Sequence, residues 1–267
     1  MSVTSGKGGV GKSSFALNTA IALASMKQRV LLIDADTNLA NLDIMLGISP
    51  KHNLSDVILG GMFMKEIIIT GPGGIDILPG ASDDVEIVEI ETEVRQQLVE
   101  SFDEIEKGYN YVIIDTGAGL NPSVIDYVLS SDEVIVVTNP EPTAISDAYR
   151  VIKVVSMHSP TMKIRLMVNN VKSRDQAIRV WEGMNAVVQS FINRSIDYLG
   201  HLPTDPAVAA AVTKRSPFVL EYPRSPASRE LRLTARKLLL GRSVRPTRER
   251  SLFARLFRIK TDEYEGL

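Results

Sequence analysis

The sequence contains no cysteine in its 267 residues. This absence excludes a disulfide framework and a cysteine-based zinc site, and it suits a cytosolic protein. A long apolar run is also missing, because no segment reaches the roughly 20 residues that a membrane-spanning helix needs. The first residues are polar and lead directly into glycine-rich sequence, unlike a signal peptide. With 44% hydrophobic and 23% charged residues, the chain has the composition of a globular protein that can bury a sizeable core.

Acidic charge is scarce in one segment near the carboxyl terminus. Residues 242–260 contain seven basic residues and one acidic residue, so this segment carries +6 and the rest of the chain −8. Such an asymmetry is typical of a tail that meets an anionic surface. A solvated tail without a partner would have the same composition.

Short β-branched runs alternate with longer helical patterns along the chain. Runs such as YVIID and EVIVVT are apolar nearly throughout, as in parallel strands covered on both faces. The alternation predicts an α/β fold, a doubly wound and mostly parallel sheet flanked by helices. The predicted strands are 2–5, 29–34, 74–79, 111–115, 133–138, 163–169 and 196–202, and the predicted helices are 11–26, 53–59, 91–106, 122–129, 142–155, 174–192 and 225–240. The sequence GRSVRPT predicts a boundary between a domain of residues 1–241 and a tail of residues 242–267.

A glycine-rich loop, GKGGVGKS, lies between the first predicted strand and the first predicted helix. Its glycines allow several backbone N–H groups to point at one phosphate, and the helix adds its positive end. Lys12 is placed to reach the β- and γ-phosphates, and the Ser13 hydroxyl suits Mg²⁺. The context predicts a P-loop for ATP and Mg²⁺ rather than a purely structural loop. The predicted nucleotide contacts are Gly6, Lys7, Gly8, Gly9, Val10, Gly11, Lys12, Ser13 and Ser14.

Aspartates end two of the predicted strands. A phosphoryl-transfer site needs a carboxylate that organises the metal and a group that orients water. Asp115 ends the strand YVIID, at the sheet edge where the P-loop lies, and suits Mg²⁺ coordination. A helix-capping role is the alternative for Asp115, and the glycines after it favour a mobile switch that senses the γ-phosphate. Asp34 and Asp36 end the strand that follows the P-loop helix.

A second lysine in the loop, Lys7, makes this a deviant phosphate-binding signature. With it the sequence resembles the MinD/ParA family of ATPases. The resemblance implies that Lys7 crosses a dimer interface and touches the partner's nucleotide, whereas an exposed loop lysine is the alternative. It also implies that Asp36 positions the attacking water. Asp36, Lys7 and Lys12 are therefore the predicted catalytic residues, and Ser13, Asp36 and Asp115 are predicted to lie at the Mg²⁺ ion.

The same resemblance suggests where the base and ribose of the nucleotide bind. Asn169 follows one strand, and Pro203 and Asp205 follow another, as do the residues that surround adenine in the family. Glu141 matches a stretch near the partner's ribose. Ordinary turn roles are an alternative for Pro203 and Asp205.

The basic tail contains an amphipathic pattern. At about 100° per residue, five apolar side chains of residues 250–260 fall within an arc of roughly 160°. These are Leu252, Phe253, Leu256, Phe257 and Ile259. The pattern predicts a short helix in the headgroup region of an anionic membrane, where two copies on a dimer bind by avidity. A helix packed on its own domain is the alternative.

Several stretches, at residues 35–47, 71–81, 142–155 and 197–205, look closer to the FlhG family (also FleN or YlxH) of flagellar number and placement regulators than to MinD of cell division. This resemblance implies flagellar switch or basal-body proteins, or the GTPase FlhF, as partners. The DQAxxLR-like motif that the family often carries in an N-terminal extension and uses toward FlhF is not found ahead of the first predicted strand.

The sequence-based hypothesis is a slow ATPase switch. It is expected to form an ATP-dependent homodimer in the cytoplasm, to bind reversibly to the inner face of the cell membrane, and to regulate flagellum number or placement, with no specific nucleic acid as partner. A MinD-type regulator that recruits a division inhibitor, and a nucleotide-binding adaptor with negligible turnover, are the alternatives.

Overall fold

The computed structural model describes residues 1–36, 41–81, 92–241 and 251–257. Within these ranges, eight strands form one sheet. They are β1 (Ser2–Ser5), β2 (Val30–Ala35), β3 (Ile69–Thr70), β4 (Asp76–Leu78), β5 (Tyr111–Ala118), β6 (Glu133–Thr138), β7 (Lys163–Val171) and β8 (Asp197–Pro203).

Helices cover both faces of this sheet. In chain order they are α1 (Lys12–Ser25), α2 (Asn41–Leu46), α3 (Leu54–Gly60), α4 (Met64–Ile67), α5 (Thr92–Glu106), α6 (Pro122–Ser130), α7 (Pro142–His158), α8 (Arg174–Ile192), α9 (Pro206–Thr213), α10 (Phe218–Glu221) and α11 (Pro226–Leu240). A further helical segment, residues 252–257, is named the tail helix below. None of the helices in the described ranges combines the length and the hydropathy needed to cross a bilayer.

The strand order is β3-β4-β2-β5-β1-β6-β7-β8, and every neighbouring pair is parallel except β3 with β4. This confirms the predicted doubly wound, mostly parallel sheet. The order places the carboxyl ends of β1, β2 and β5 side by side, with Asp34 of β2 directly opposite Asp115 of β5. Polar groups at these three ends are therefore brought to one place, as ligand sites are in sheets of this type.

The segment after Asp115, predicted to be a mobile switch, is more regular than its glycines suggested. We expected β5 to stop at Asp115, but Thr116 pairs with Ala35 and Ala118 pairs with Ser5. The strand therefore runs through Gly117, because neighbours on both sides supply backbone hydrogen bonds. The chain turns only at Gly119, whose φ is +96°, in the region that glycine adopts without strain.

The layer on one face consists mainly of α1 and α11, whose apolar residues share a core cluster with β1 and β2. Nearly the whole of α1 between Phe15 and Leu23 is buried, so it lacks the one-sided pattern of a surface helix. Helices α3–α5 and α6–α8 cover the other face. Burial of each leucine- or phenylalanine-sized side chain contributes about 1.5–3 kcal/mol, and the core therefore holds the strand ends in a fixed arrangement.

The tail helix packs on this second face. The described members of the predicted membrane face, Leu252, Phe253, Leu256 and Phe257, are all buried against the domain. The Phe253 ring lies 4.3 Å from that of Phe102 on α5, measured between centroids. The backbone N–H of Leu252 donates to Glu106 Oε2 at 3.1 Å, and Arg255 Nη2 donates to Asp132 Oδ1 at 3.2 Å.

This docking matches the alternative considered from the sequence, a helix packed on its own domain, and membrane binding through the tail stays a prediction. An amphipathic helix buries its apolar face against whichever apolar surface is nearest, and here that surface is α5 and its neighbours. The four side chains are therefore not available to a bilayer until the tail helix leaves its groove. The fifth predicted member, Ile259, lies outside the described residues.

Candidate nucleotide-binding site

The P-loop follows β1, which lies inside the sheet between β5 and β6. It ends at Gly11, the N-cap of α1, with φ at +92°. A Cβ atom at this position would lie 2.2 Å from Asn169 Nδ2. The same Nδ2 atom donates to the carbonyl oxygen of Val10 at 2.8 Å. Both the backbone conformation and the close approach of Asn169 therefore require glycine at position 11.

The first glycine of the loop is fixed by α7. A Cβ atom at Gly6 would lie 2.2 Å from the backbone carbon of Asp147, closer than real side chains approach. The start of the P-loop consequently rests directly on the backbone of α7. Because the two backbones are in direct contact and protein interiors are close-packed, a displacement of α7 would also displace the start of the P-loop.

Lys12 lies between two of the aspartates at the strand ends. Its Nζ atom is 2.8 Å from Asp115 Oδ1 and 3.7 Å from Asp36 Oδ2. All three side chains are at most 10% exposed, so their charges interact more strongly than they would in water. Burial raises the pKa of Asp115, and the neighbouring Lys12 ammonium opposes that effect. The P-loop lysine is thus the counter-ion of a buried carboxylate.

The donor atoms suit a divalent cation that is held mainly by phosphate. Asp115 Oδ2 is buried without a hydrogen-bond partner among the described residues, and such an anionic oxygen fits a metal or its water. Ser13 Oγ lies 3.1 Å from Lys12 Nζ. In the described ranges, no three His, Asp or Glu side chains form a preformed metal site. Mg²⁺ needs none, since it uses one or two carboxylates together with phosphate oxygens.

Comparison with known proteins agrees with this geometry. A family model described as an AAA domain matches residues 1–168. The antiactivator FleN of Pseudomonas aeruginosa is 35% identical over 89% of this chain and 85% of its own length. The flagellum site-determining protein YlxH of Helicobacter pylori is 31% identical over 80% of this chain and 73% of that protein. The septum site-determining protein MinD of Pyrococcus horikoshii, solved with Mg-ADP, has a TM-score of 0.72 at 26% identity, covering 90% of this chain and 98% of that one.

The chain belongs to the MinD/ParA-type P-loop ATPases. This membership confirms the resemblance drawn from the deviant P-loop, including the similarity to the flagellar branch.

In this MinD/ParA-type ATPase, the second lysine of the loop is held by its own chain. Lys7 Nζ donates to Glu141 Oε2 at 3.1 Å and to Thr143 Oγ1 at 3.2 Å, at the start of α7. The Lys7 and Glu141 side chains are 42% and 58% exposed. An exposed ion pair contributes about 0–1 kcal/mol, so Lys7 can leave this contact at little cost. Thr143 was not predicted, because no motif links it to a loop more than 130 residues earlier.

The predicted base-binding residues have structural partners of their own. Asp205 caps α9 through the N–H of Ala207 at 2.9 Å and also accepts the N–H of Ala227 at 3.0 Å. Burial acts to raise the pKa of Asp205, but these two N–H groups outweigh it and leave the pKa lowered. Pro203 ends β8. Asp205 therefore has a helix-capping role, as considered from the sequence, while Pro203 is paired with Val171 in the sheet. Contact with adenine stays a prediction for both residues and for Asn169.

Asp34 organises the chain just after β2. Its Oδ1 accepts the N–H of Asp36 at 3.2 Å and its Oδ2 accepts the N–H of Leu42 at 3.4 Å. The pKa of Asp34 is raised to about 7, because burial and then the charge of Asp115 raise it by more than the two N–H groups and Lys12 lower it. The fold therefore keeps a carboxyl group that is half protonated near neutral pH beside the site.

Replacing Asp34 with Asn should make stability less dependent on pH. The folded-state pKa of Asp34 lies above its ordinary value, so the folded wild type binds more protons than the unfolded chain between pH 4 and 7 and loses stability as the pH rises. Asp34→Asn has no such group. The free energy of unfolding of the variant minus that of wild type should therefore increase from pH 4 to pH 7, by at most about 4 kcal/mol in total. Urea titrations at pH 5 and pH 8 measure the difference, and an equal difference at both pH values would refute the assignment.

Proposed function

We propose that this protein is a slow, Mg²⁺-dependent ATPase switch that dimerises with ATP, associates with the membrane, and regulates flagellum number or placement. The observation that supports the switch chemistry is the contact between Lys12 and the buried Asp115, whose second oxygen has no partner in the described chain. Asp36 is the third member of this group.

The arrangement supports ATP binding by exchange of ion pairs. A triphosphate at the P-loop competes with Asp115 for the Lys12 ammonium, since Lys12 carries one charge for both. Mg²⁺, when bound, supplies the positive charge that stabilises the transferring phosphoryl group. Ser13 and Asp115 would hold it, and Asp36, held near Lys12, would orient the attacking water. Asp115 would then have Mg²⁺ beside it in place of the Lys12 ammonium.

The contact between Lys7, Glu141 and Thr143 supports a role in dimerisation. All three side chains are exposed or partly exposed, and they lie at the P-loop end of α7. In a symmetric dimer each Lys7 would exchange this contact for the partner's nucleotide phosphates. Phosphate carries more charge than a single carboxylate, so the exchange is favourable when ATP is present.

The docked tail helix supports a membrane association that depends on the state of the protein. The same four side chains cannot pack on α5 and insert into lipid together. Release costs the buried apolar contacts, about 1.5–3 kcal/mol for each large side chain, and insertion recovers a similar amount. One tail helix should therefore bind marginally, whereas a dimer presents two, so that the second insertion is intramolecular.

Variants of the tail and of its groove should change membrane binding in opposite directions. Phe253→Glu removes an apolar contact from both states and should abolish pelleting with anionic vesicles. Asp132→Asn weakens the docking contact with Arg255 without changing the tail helix itself and should increase pelleting in ADP. Vesicle sedimentation with ATP and with ADP measures both, and Asp147→Asn on α7 is the matched surface control. Equal pelleting of Phe253→Glu and wild type in every condition would leave the tail as a packed helix.

The flagellar role is supported by similarity to FleN and to the flagellum site-determining protein YlxH. Similarity to MinD, a septum site-determining protein, supports division-site regulation as a second candidate. Deletion of the gene in its source organism separates the two. Altered flagellum number with normal division would support the first, and minicells with normal flagella would support the second. Pull-down of flagellar switch or basal-body proteins, of FlhF, or of a division inhibitor would then identify the partner.

A nucleotide-binding adaptor with negligible turnover is the third candidate. Phosphate release measured with and without vesicles tests it directly. A rate of phosphate release above that of the Asp36→Ala variant, with or without vesicles, would exclude this candidate.

A further inference from the structure

The outer face of α11 carries an apolar line. Leu233 is 51% exposed and Leu240 is 78% exposed, and Pro226, at the same seven-residue spacing, is exposed as well. Positions seven apart on a helix differ by only about 20° in direction. The opposite face of α11 is buried in the core shared with α1, through Ala227, Ser228, Leu231, Thr234, Ala235 and Leu238. The exposed line is therefore not required by the fold.

Basic side chains border this line. Arg229 and Arg236 lie on one side and Lys237 on the other, each within about 60° of Leu233 at 100° per residue. All three are exposed. The Lys237 ammonium donates to the carbonyl oxygen of Leu199 at 3.1 Å, so Lys237 must exchange this contact before it reaches a headgroup. Glu230 is the single acidic residue between positions 224 and 241, and its charge acts on two side chains of β8. An apolar centre with basic edges is the pattern of a helix that rests on a headgroup layer, with arginine and lysine reaching to the phosphates.

The excess of basic residues continues along the sequence from α11 into the tail. Residues 224–260 contain twelve basic residues against two acidic ones, so they carry +10, and the remainder of a chain with net charge −2 carries −12. The basic region identified from the tail alone thus begins on the folded domain. An anionic surface that attracts the tail attracts α11 as well.

We propose that the outer face of α11 is a second membrane-contact surface, which seats the folded domain on an anionic bilayer through Leu233 and Leu240 with Arg229, Arg236 and Lys237 around them. This inference rests on the proposed membrane association. It adds that the domain has a fixed orientation on the bilayer, because α11 is part of the core, whereas the tail helix must leave its groove to reach lipid.

A bilayer fits this face better than a nucleic acid does. Exposed leucines contribute nothing to contact with a phosphate backbone, whose recognition depends on charge and on stacking aromatic or polar side chains. The acyl region beneath a layer of anionic headgroups satisfies both the apolar line and its basic borders.

The absence of cysteine from the chain makes a direct test possible. Leu240→Cys and Leu233→Cys give single attachment sites for an environment-sensitive dye, and Phe191→Cys, at a residue 78% exposed on α8, is the matched control. With ATP and vesicles of phosphatidylglycerol and phosphatidylcholine, the dye should shift to the blue at both α11 positions and not at position 191. Unshifted emission at both α11 positions, while the protein pellets, would overturn the proposal.

Charge reversal provides a second readout that does not depend on a label. Arg229→Glu with Arg236→Glu should weaken vesicle binding at least threefold and leave ATP turnover in solution unchanged, because neither residue lies at the nucleotide site. Arg150→Glu with Lys153→Glu, two exposed basic residues of α7, should bind vesicles as wild type does. Unchanged binding of the α11 variant would mean that the tail acts alone. Loss of duplex DNA binding instead of vesicle binding would assign the face to nucleic acid, and failure of wild type to pellet would remove the proposed membrane association and this inference together.

Discussion

Asp36→Ala should lower ATP turnover by about 100-fold and leave ATP affinity nearly unchanged. The assigned role of Asp36 is to orient the attacking water, and an interaction made only in the transition state affects kcat rather than binding. Asp36 lies 3.7 Å from Lys12, farther than Asp115 does, so its removal leaves the main partner of the lysine in place. Single-turnover hydrolysis and equilibrium binding of a fluorescent ATP analogue measure the two quantities separately.

Lys12→Ala should instead weaken ATP binding itself, with the affinity reduced about 10- to 100-fold. This variant also leaves Asp115 buried without its cation, and an unpaired buried charge is strongly destabilising. Lys12→Ala combined with Asp115→Asn avoids that charge and separates lost binding from lost folding. If Asp36→Ala loses as much affinity as Lys12→Ala, the assignment of water orientation to Asp36 is wrong.

Lys7→Ala should prevent ATP-dependent dimerisation while leaving nucleotide binding by the monomer in place. In the structure Lys7 bonds to Glu141 and Thr143 rather than to groups of its own P-loop. Its removal therefore costs the monomer one exposed ion pair, worth about 0–1 kcal/mol. A dimer would lose a charge-assisted contact at each of two nucleotides. Sedimentation velocity in ATP measures the monomer fraction.

Thr143→Val is the matched control for Lys7. It removes one of the two contacts that the Lys7 ammonium makes within its own chain and leaves the ion pair with Glu141, so it should leave dimerisation intact. A dimer of Lys7→Ala with wild-type affinity would show that the lysine does not cross the interface.

The fold and the convergence of the site were predictable from sequence for a common reason. Apolar strands such as YVIID specify a parallel sheet, and a parallel sheet with this alternation places the ends of neighbouring strands together. Lys12, Asp36 and Asp115 could therefore be grouped although 103 positions separate Lys12 from Asp115. The P-loop was recognised because its chemistry lies within eight consecutive residues.

Other features depend on tertiary contacts that leave no local pattern. The bond between Lys7 and Thr143 joins residues 136 positions apart, and a threonine after proline is an ordinary helix start. Asp205 could equally have faced a base or capped a helix; in the structure it caps α9 through Ala207 and also accepts the N–H of Ala227 on α11. The short elements α9, α10 and β3 lack the length that makes a period visible.

The tail shows a different limit. An amphipathic sequence specifies that an apolar face will be buried, but it does not specify the partner, because lipid and the groove beside Phe102 satisfy the same side chains. In the structure the tail helix occupies this groove, and the free energy needed to release the helix from the groove becomes part of the proposed switch.

The most direct test of the central claim is the mass of the Asp36→Ala protein, measured by light scattering during size-exclusion chromatography with ATP and with ADP. Slow hydrolysis in this variant preserves the ATP state during the measurement. We predict twice the chain mass of 29.3 kDa with Mg²⁺-ATP and the single chain mass with ADP. A protein that remains monomeric with ATP at every usable concentration would contradict the account.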